Sequence, residues 1–289
     1  MLKSTLARYV RTNPRLRPLG VAGYRLYTRL GPSGDGPRVL ANSIPKAGTH
    51  VLMSLLDATP GMRFNGNHFA FTGADRHGGS EGKSLQSLRS NTAQLRTGQY
   101  MTGHIRHRDD IVDVLAGAGV RTLLSIRDPR AIALSAANYL HANPRHPLHS
   151  RVLAEYPELD DRIRAVIDGI PATESSPGIP GLAERLDRYL PWLDEPAAHV
   201  VRYEDLVGAQ GGGSTDTQRA TVAGLLSFLS LDVDDAGLGT VCRSVYSTKS
   251  ATFRSGQSDS WRAELAPEHA ATINDRCAAQ LTRLGYPPA

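Results

Sequence analysis

The chain has 289 residues, 40% of them hydrophobic and 21% charged, with a net charge of +5 at pH 7. This balance supports a substantial core and excludes a disordered polyelectrolyte, and no run approaches the roughly 20 apolar residues that cross a bilayer. The two cysteines, Cys242 and Cys277, make no disulfide framework or metal-ligand spacing, which suits a reducing compartment, and the positive charge favours an anionic partner.

Residues 1–37 form a basic leader ahead of one predicted α/β domain over 38–289. Basic residues from Lys3 to Arg29 precede the first acid, Asp35, with Leu6, Tyr9 and Leu26 among them. An amphipathic basic stretch lies readily on an anionic membrane surface, although Pro14 and Pro18 interrupt any long helix and a solvated arm has the same composition. The start is too broken by Arg and Pro to be a secretory signal. The expectation is a cytoplasmic protein, with peripheral contact at the inner membrane surface through residues 1–30.

After the turn-rich "GPSGDGP", a strand is predicted over about 38–43, then the loop "SIPKAGTH", then a helix over about 49–58. The Gly-rich "GMRFNGNHFAFTGADRHGGSEG" has no sustained period and reads as a loop bordering a pocket. A weak helix "LQSLRSNTAQL", a strand near "QYMTGH", a helix "RDDIVDVLAGAG", a buried strand "VRTLLSIRD" and a helix "PRAIALSAANYL" follow. "SRVLAEYPELDDRIRAVIDGI" and "GLAERLDRYLPWL" are amphipathic, "AHVVRYEDL" is a strand, and "TQRATVAGLLSFLSL" and "PEHAATINDRCAAQLTRLGY" are helices. Such βα alternation predicts a three-layer fold, a central parallel sheet flanked by helices.

Three stretches suggest chemistry. In "PKAGTH" a lysine, a glycine and a threonine occupy a strand-to-helix turn, where helix amides and a partial positive charge meet anions. The nucleotide-kinase order G-x-x-x-x-G-K-[ST] is absent, since Lys46 precedes Gly48. In "SIRDPRAIALS", Arg127 ends a buried strand and Ser135 lies in the second turn of the next helix. They could grip a second phosphate, or Arg127 could simply pair with Asp128 at a helix cap. "TFRSGQSDSW" places Arg254 beside Gly256 in a loop and alone says little.

Together these stretches resemble the PAPS-dependent sulfotransferase family, and specifically its divergent bacterial and carbohydrate-type members. "SIPKAGTH" is similar to its 5′-phosphosulfate loop and "RDPRAIALS" to its 3′-phosphate stretch. "VVRYEDL" resembles the strand whose tyrosine lies near adenine, and "FRSGQSDSW" the segment that returns to the 3′-phosphate. The match runs in order over about residues 38 to 265. It implies a P-loop-NTPase-like fold and in-line transfer of a sulfuryl group from the nucleotide PAPS to an acceptor hydroxyl, leaving PAP. Lys46, Ala47, Gly48, Thr49 and His50 would hold the 5′ end, with Lys46 stabilising the leaving group. Arg127, Ser135, Arg254, Ser255 and Gly256 would hold the 3′-phosphate, and Tyr203 would approach adenine. His104 would be the general base, with His107 as its neighbour and His68 and nearby acids in reserve. No metal is expected, because a sulfuryl group carries less charge than a phosphoryl group. Departures from the pattern are Val51 for a tryptophan that stacks on adenine, Thr102 for a lysine near the transferring group, and Ser255 for the lysine of Arg-Lys-Gly. The acceptor would suit a glycan or glycolipid better than a small aromatic. Competing readings are an ATP- or GTP-dependent phosphotransferase, and a non-catalytic basic module for nucleic acid or membrane; nucleic acid is not the expected partner.

Overall fold

The structure is a computed structural model that describes residues 34–71, 81–246 and 257–287, with Gly23 alone in the leader. The expected membrane contact of residues 1–30, and Arg254, Ser255 and Gly256, lie outside the described residues.

Five strands form one sheet: β1 (Arg38–Ser43), β2 (Arg63–Phe71), β3 (Gln99–Ile105), β4 (Val120–Ile126) and β5 (Ala198–Arg202). Their order is β2-β3-β1-β4-β5 and every pairing is parallel. Helices between them are α1 (Thr49–Ala58), α2 (Glu81–Ala93), α3 (Asp109–Gly117), α4 (Pro129–Ala142), α5 (His149–Glu155), α6 (Leu159–Asp168) and α7 (Leu182–Asp187). After β5 come the short turn α8 (Tyr203–Leu206), α9 (Thr215–Phe228), α10 (Asp235–Val245), α11 (Trp261–Glu264), α12 (Pro267–Arg276) and α13 (Ala278–Leu284).

Side-chain alternation along the strands builds two cores, one on each face. Val39, Ala41, Tyr100 and Leu123 point to one, where α1, α9 and α10 bring Leu52, Leu55, Val222, Leu225 and Val241. Leu40, Met101, Ile105 and Leu124 point to the other, filled by Ile111, Ile132, Leu134, Ile163 and Trp192. The three-layer architecture with a parallel sheet is therefore as the sequence predicts. Among the described residues no helix is long and apolar enough to cross a membrane.

Several elements differ from the sequence expectation. Arg63–Phe71, read as loop, is an edge strand with a register shift between Phe64 and His68. Its glycine and asparagines hide the pattern, and pairing with β3 overrides propensity. The segment from 149 to 168 breaks into α5 and α6 at Pro157, and the C-terminal helix breaks at Cys277. Tyr203 does not continue its strand but opens α8. The helix α10, capped by Asp234 accepting from the Gly237 amide, is absent from the sequence expectation; Gly237 and Gly239 near its start mask the helical spacing of Leu238, Val241, Cys242 and Val245.

The sheet edge that matters is fixed by one buried side chain. Asn42 is fully buried, donates to the Ile105 carbonyl at 2.8 Å and accepts from the Ile105 amide at 2.8 Å. The Trp192 indole donates to the same carbonyl at 3.0 Å. Asn42→Ala would leave the Ile105 amide unsatisfied, a loss of about 1–3 kcal/mol. The expected outcome is a melting temperature several degrees lower with an unchanged far-UV circular dichroism spectrum; an unaltered melting curve would contradict it.

Candidate functional site

The chain order reverses between β1 and β4, and the loops that follow these two strands meet at the carboxyl edge of the sheet, where folds of this kind hold ligands. The loop after β1 is tied down on that edge. The Ile44 amide donates to the Ser125 carbonyl at 3.2 Å, the Ala47 amide to the Ile44 carbonyl at 2.9 Å, and Ser125 Oγ to the Ala47 carbonyl at 2.6 Å. Lys46 and Gly48 both adopt left-handed backbone, at φ 77° and 110°. At Gly48 this needs glycine twice over, because a Cβ would also stand 2.8 Å from the Tyr203 ring.

The first helical bonds of α1 run from the Val51 and Leu52 amides to the Gly48 carbonyl. The amides of Gly48, Thr49 and His50 thus lack intrahelical partners, and no acidic side chain or side-chain cap occupies this end. Two cations converge beside it. The Lys46 ammonium lies 3.8 Å over the Tyr139 ring. The Arg127 guanidinium lies 4.2 Å over the Tyr203 ring and makes long contacts to the Lys46 carbonyl, 3.4 Å, and the Gln257 carbonyl, 3.5 Å. Arg127 Nε is buried with no hydrogen-bond partner. Among the described residues neither cation forms an ion pair.

The carboxylates nearby are engaged elsewhere. Asp128 does not pair with Arg127. It caps α4 by accepting from the Arg130 amide at 2.8 Å and binds the Arg130 guanidinium at 2.9 Å. Glu204 accepts from the Asp128 amide at 3.1 Å and from the Tyr286 hydroxyl at 2.6 Å, and its burial raises its pKa. Desolvation, with the Arg127 charge second, lowers the Lys46 pKa to about 8. Desolvation and the Lys46 charge also lower that of His50, although part of its ring meets solvent.

On the other side of the loop, His104 Nδ1 lies 2.9 Å from the Ser43 carbonyl oxygen and 3.2 Å from Ser43 Oγ. A carbonyl only accepts, so Nδ1 carries the hydrogen and the lone pair of the neutral ring resides on Nε2. The ring neighbour of His104 is His68, in edge contact at 5.1 Å, whose Nδ1 lies 2.9 Å from Thr102 Oγ1. His107 instead packs against Trp192 and approaches Glu195 at 3.7 Å.

Lys46, Ala47, Gly48, Thr49, His50, Arg127 and Tyr203 are therefore grouped at one edge, with His104 joined to them through Ser43. Ser135 is half-buried one helical turn before Tyr139, on the helix face that meets Lys46. Tyr203 is only 8% exposed, lying against Gly48 and under Arg127. Sequence reasoning passed over Ser43, Ser125 and Tyr139. Two serines closing apolar strands in register, Ser43 beside Ser125, were the available signal. Among the described residues no cluster of three or more His, Cys, Asp or Glu is placed to ligate a metal.

No family model and no curated protein matches the chain. Among solved structures it is similar to the mouse sulfotransferase SULT7A1 complexed with PAP, with a TM-score of 0.59 over 85% of this chain and 85% of that chain, at 13% identity. Likeness at this identity speaks to the fold.

The depressed Lys46 value gives a direct check. With its lysines reductively methylated using ¹³C formaldehyde, the protein should show one dimethyl-lysine signal titrating near pH 8, absent from Lys46→Met. All signals titrating in the ordinary lysine range, near 10.4, would contradict the desolvated site.

Proposed function

We propose that the chain is a sulfotransferase that moves a sulfuryl group from PAPS to an acceptor hydroxyl. The observation that carries this reading is the meeting of two cations, Lys46 and Arg127, at the open end of α1, where among the described residues neither forms an ion pair and Arg127 Nε has no hydrogen-bond partner. A ligand with two anionic ends on one nucleoside fits that arrangement, and the fold neighbour is described with PAP. Lys46 and the α1 amides would take the 5′ end. Arg127 and Ser135 would take the 3′-phosphate, where the motif resemblance also assigns Arg254, Ser255 and Gly256. Tyr203, already covered, would prop Gly48 and orient Arg127 while the adenine passes its edge.

The acceptor oxygen forms the new bond to sulfur as its proton passes to His104 Nε2. The bond between sulfur and the bridging oxygen breaks, and its electron pair stays on PAP, where Lys46 and the helix amides meet the new charge. Positioning and electrostatics suffice for such a transfer, so the reading needs no metal. The ring neighbour of His104 is polar, His68 hydrogen-bonded to Thr102, which favours a polyhydroxyl acceptor such as a glycan or glycolipid head.

Calorimetric titration with PAP in EDTA tests the donor. Saturable binding is expected, weakened about tenfold or more by Arg127→Lys, which loses the planar fork. An anion favours the ammonium form, so bound Lys46 titrates above its free value of about 8. Affinity is then full below pH 8 and falls as pH rises beyond it, by up to tenfold per unit, whereas Lys46→Met is flat there. Turnover of labelled PAPS with a glycan acceptor should fall roughly 10²-fold or more in Lys46→Met and in His104→Gln. Binding that requires Mg²⁺ and prefers ATP would sink the assignment in favour of a phosphotransferase.

A further inference from the structure

Ser43 is fully buried at the end of β1, and its hydroxyl touches both halves of the site. Its Oγ lies 2.7 Å from Thr49 Oγ1, on the donor side, and 3.2 Å from His104 Nδ1, on the acceptor side. The direction of one bond follows from its partner. The Ser43 carbonyl, 2.9 Å from Nδ1, can only accept, so Nδ1 carries a hydrogen and shares it between that carbonyl and Ser43 Oγ. Ser43 Oγ then accepts from His104, which leaves its own hydrogen for Thr49 Oγ1 in the arrangement on which the proposal rests. Thr49, the first residue of α1, keeps its hydroxyl hydrogen for a further acceptor. All three hydrogens run the same way, from the imidazole toward the anion loop.

We propose that Ser43 is a positioning residue that relays charge between the base and the leaving group, through the chain His104 Nδ1–H to Ser43 O–H to Thr49 O–H. This deepens the sulfotransferase reading and rests on it. During transfer His104 gains positive charge at the same time as PAP gains negative charge. An imidazolium is a stronger donor than a neutral ring, and a chain of aligned bonds passes that polarisation on. Thr49 thereby donates most strongly when the leaving oxygen is most negative. The relay also fixes the tautomer that puts the lone pair on Nε2. By reciprocity, an anion held at Thr49 must favour protonated His104.

Among the described residues the titratable and charged groups around this unit are His68 of β2, in ring contact with His104, and Lys46, His50 and Arg127 about the loop. They act through space and are unchanged by removing one hydroxyl, which gives the test its contrast. The His104 imidazole resonance, assigned by its loss in His104→Gln, is titrated by NMR with and without saturating PAP. In the wild type PAP raises the pH midpoint. In Ser43→Ala the rise falls by half or more while PAP still binds, and in Ser43→Ala/Thr49→Val it falls no further, because both substitutions cut one chain. Thr49→Val, at a half-exposed position, reports the same loss if Ser43→Ala does not fold. An equal rise in wild type and variants means that the phosphates act directly through space, and the relay is overturned. Absence of any saturable PAP effect in the wild type overturns the donor assignment, and the relay with it.

Discussion

Two positive side chains held together with no ion pair to either among the described residues are the costly feature on which this site depends. Lys46 and Arg127 repel each other, and desolvation at the sheet edge, with the Arg127 charge second, lowers the Lys46 pKa to about 8. A structure serving stability alone would have turned Asp128 or Glu204 toward Arg127. Both lie next in sequence to site residues, and both are committed to other donors, Arg130 and the Asp128 amide. Under the proposed function the site is held ready for an anion, whose arrival would convert the repulsion into binding energy.

The surrounding framework keeps the acids occupied. Arg130 is buried between the Asp128 carboxylate and the Trp261 ring, 4.4 Å away, and reaches Asn274 on α12. Tyr286 closes the chain's end onto Glu204, with Arg202 over its ring at 4.0 Å. The C-terminal helices thus anchor the first residues after β4 and β5, the two points from which Arg127 and Tyr203 project. A buried ionic network is weak support for stability in itself. Its arrangement here has another consequence, which is to fix where Arg127 stands.

Sequence pattern reveals the framework and the cations but not the connections between them. Strands carrying Val, Leu and Ile next to helical periods mark β1, β4 and β5, Tyr100 and Met101 mark β3, and together they give the layer order. The strand-to-helix turns by themselves put Lys46 and Arg127 at the carboxyl edge. β2 escapes because Asn65, Gly66 and Asn67 read as turn residues, and only pairing with β3 makes that stretch extended. Ser43 escapes for a different reason. A serine in a strand has no periodic signature, and its meaning comes from His104, 61 positions away. Nearness in sequence makes His107 the expected partner of His104, but the edge of a parallel sheet sets neighbouring strands side by side, so His68 fills that place.

The order of lysine and glycine in the loop has its own physical logic. A lysine ahead of the glycine must itself take left-handed backbone, a cost of about 1–2 kcal/mol that a glycine would not incur. That cost is met by the three bonds that seize the loop, with both backbone groups of Ala47 held between Ile44 and Ser125. Because Lys46 and Gly48 are both left-handed, the chain between them is compressed, and Ala47 is fully buried beneath the loop rather than extended along it. A loop so constrained loses little conformational freedom when an anion enters, so the electrostatic gain is not consumed by ordering. Under the proposed function the strained lysine is part of the recognition rather than a blemish in the backbone: a relaxed glycine at that position would keep the turn and lose the charge, and a lysine in relaxed geometry would keep the charge and lose the turn.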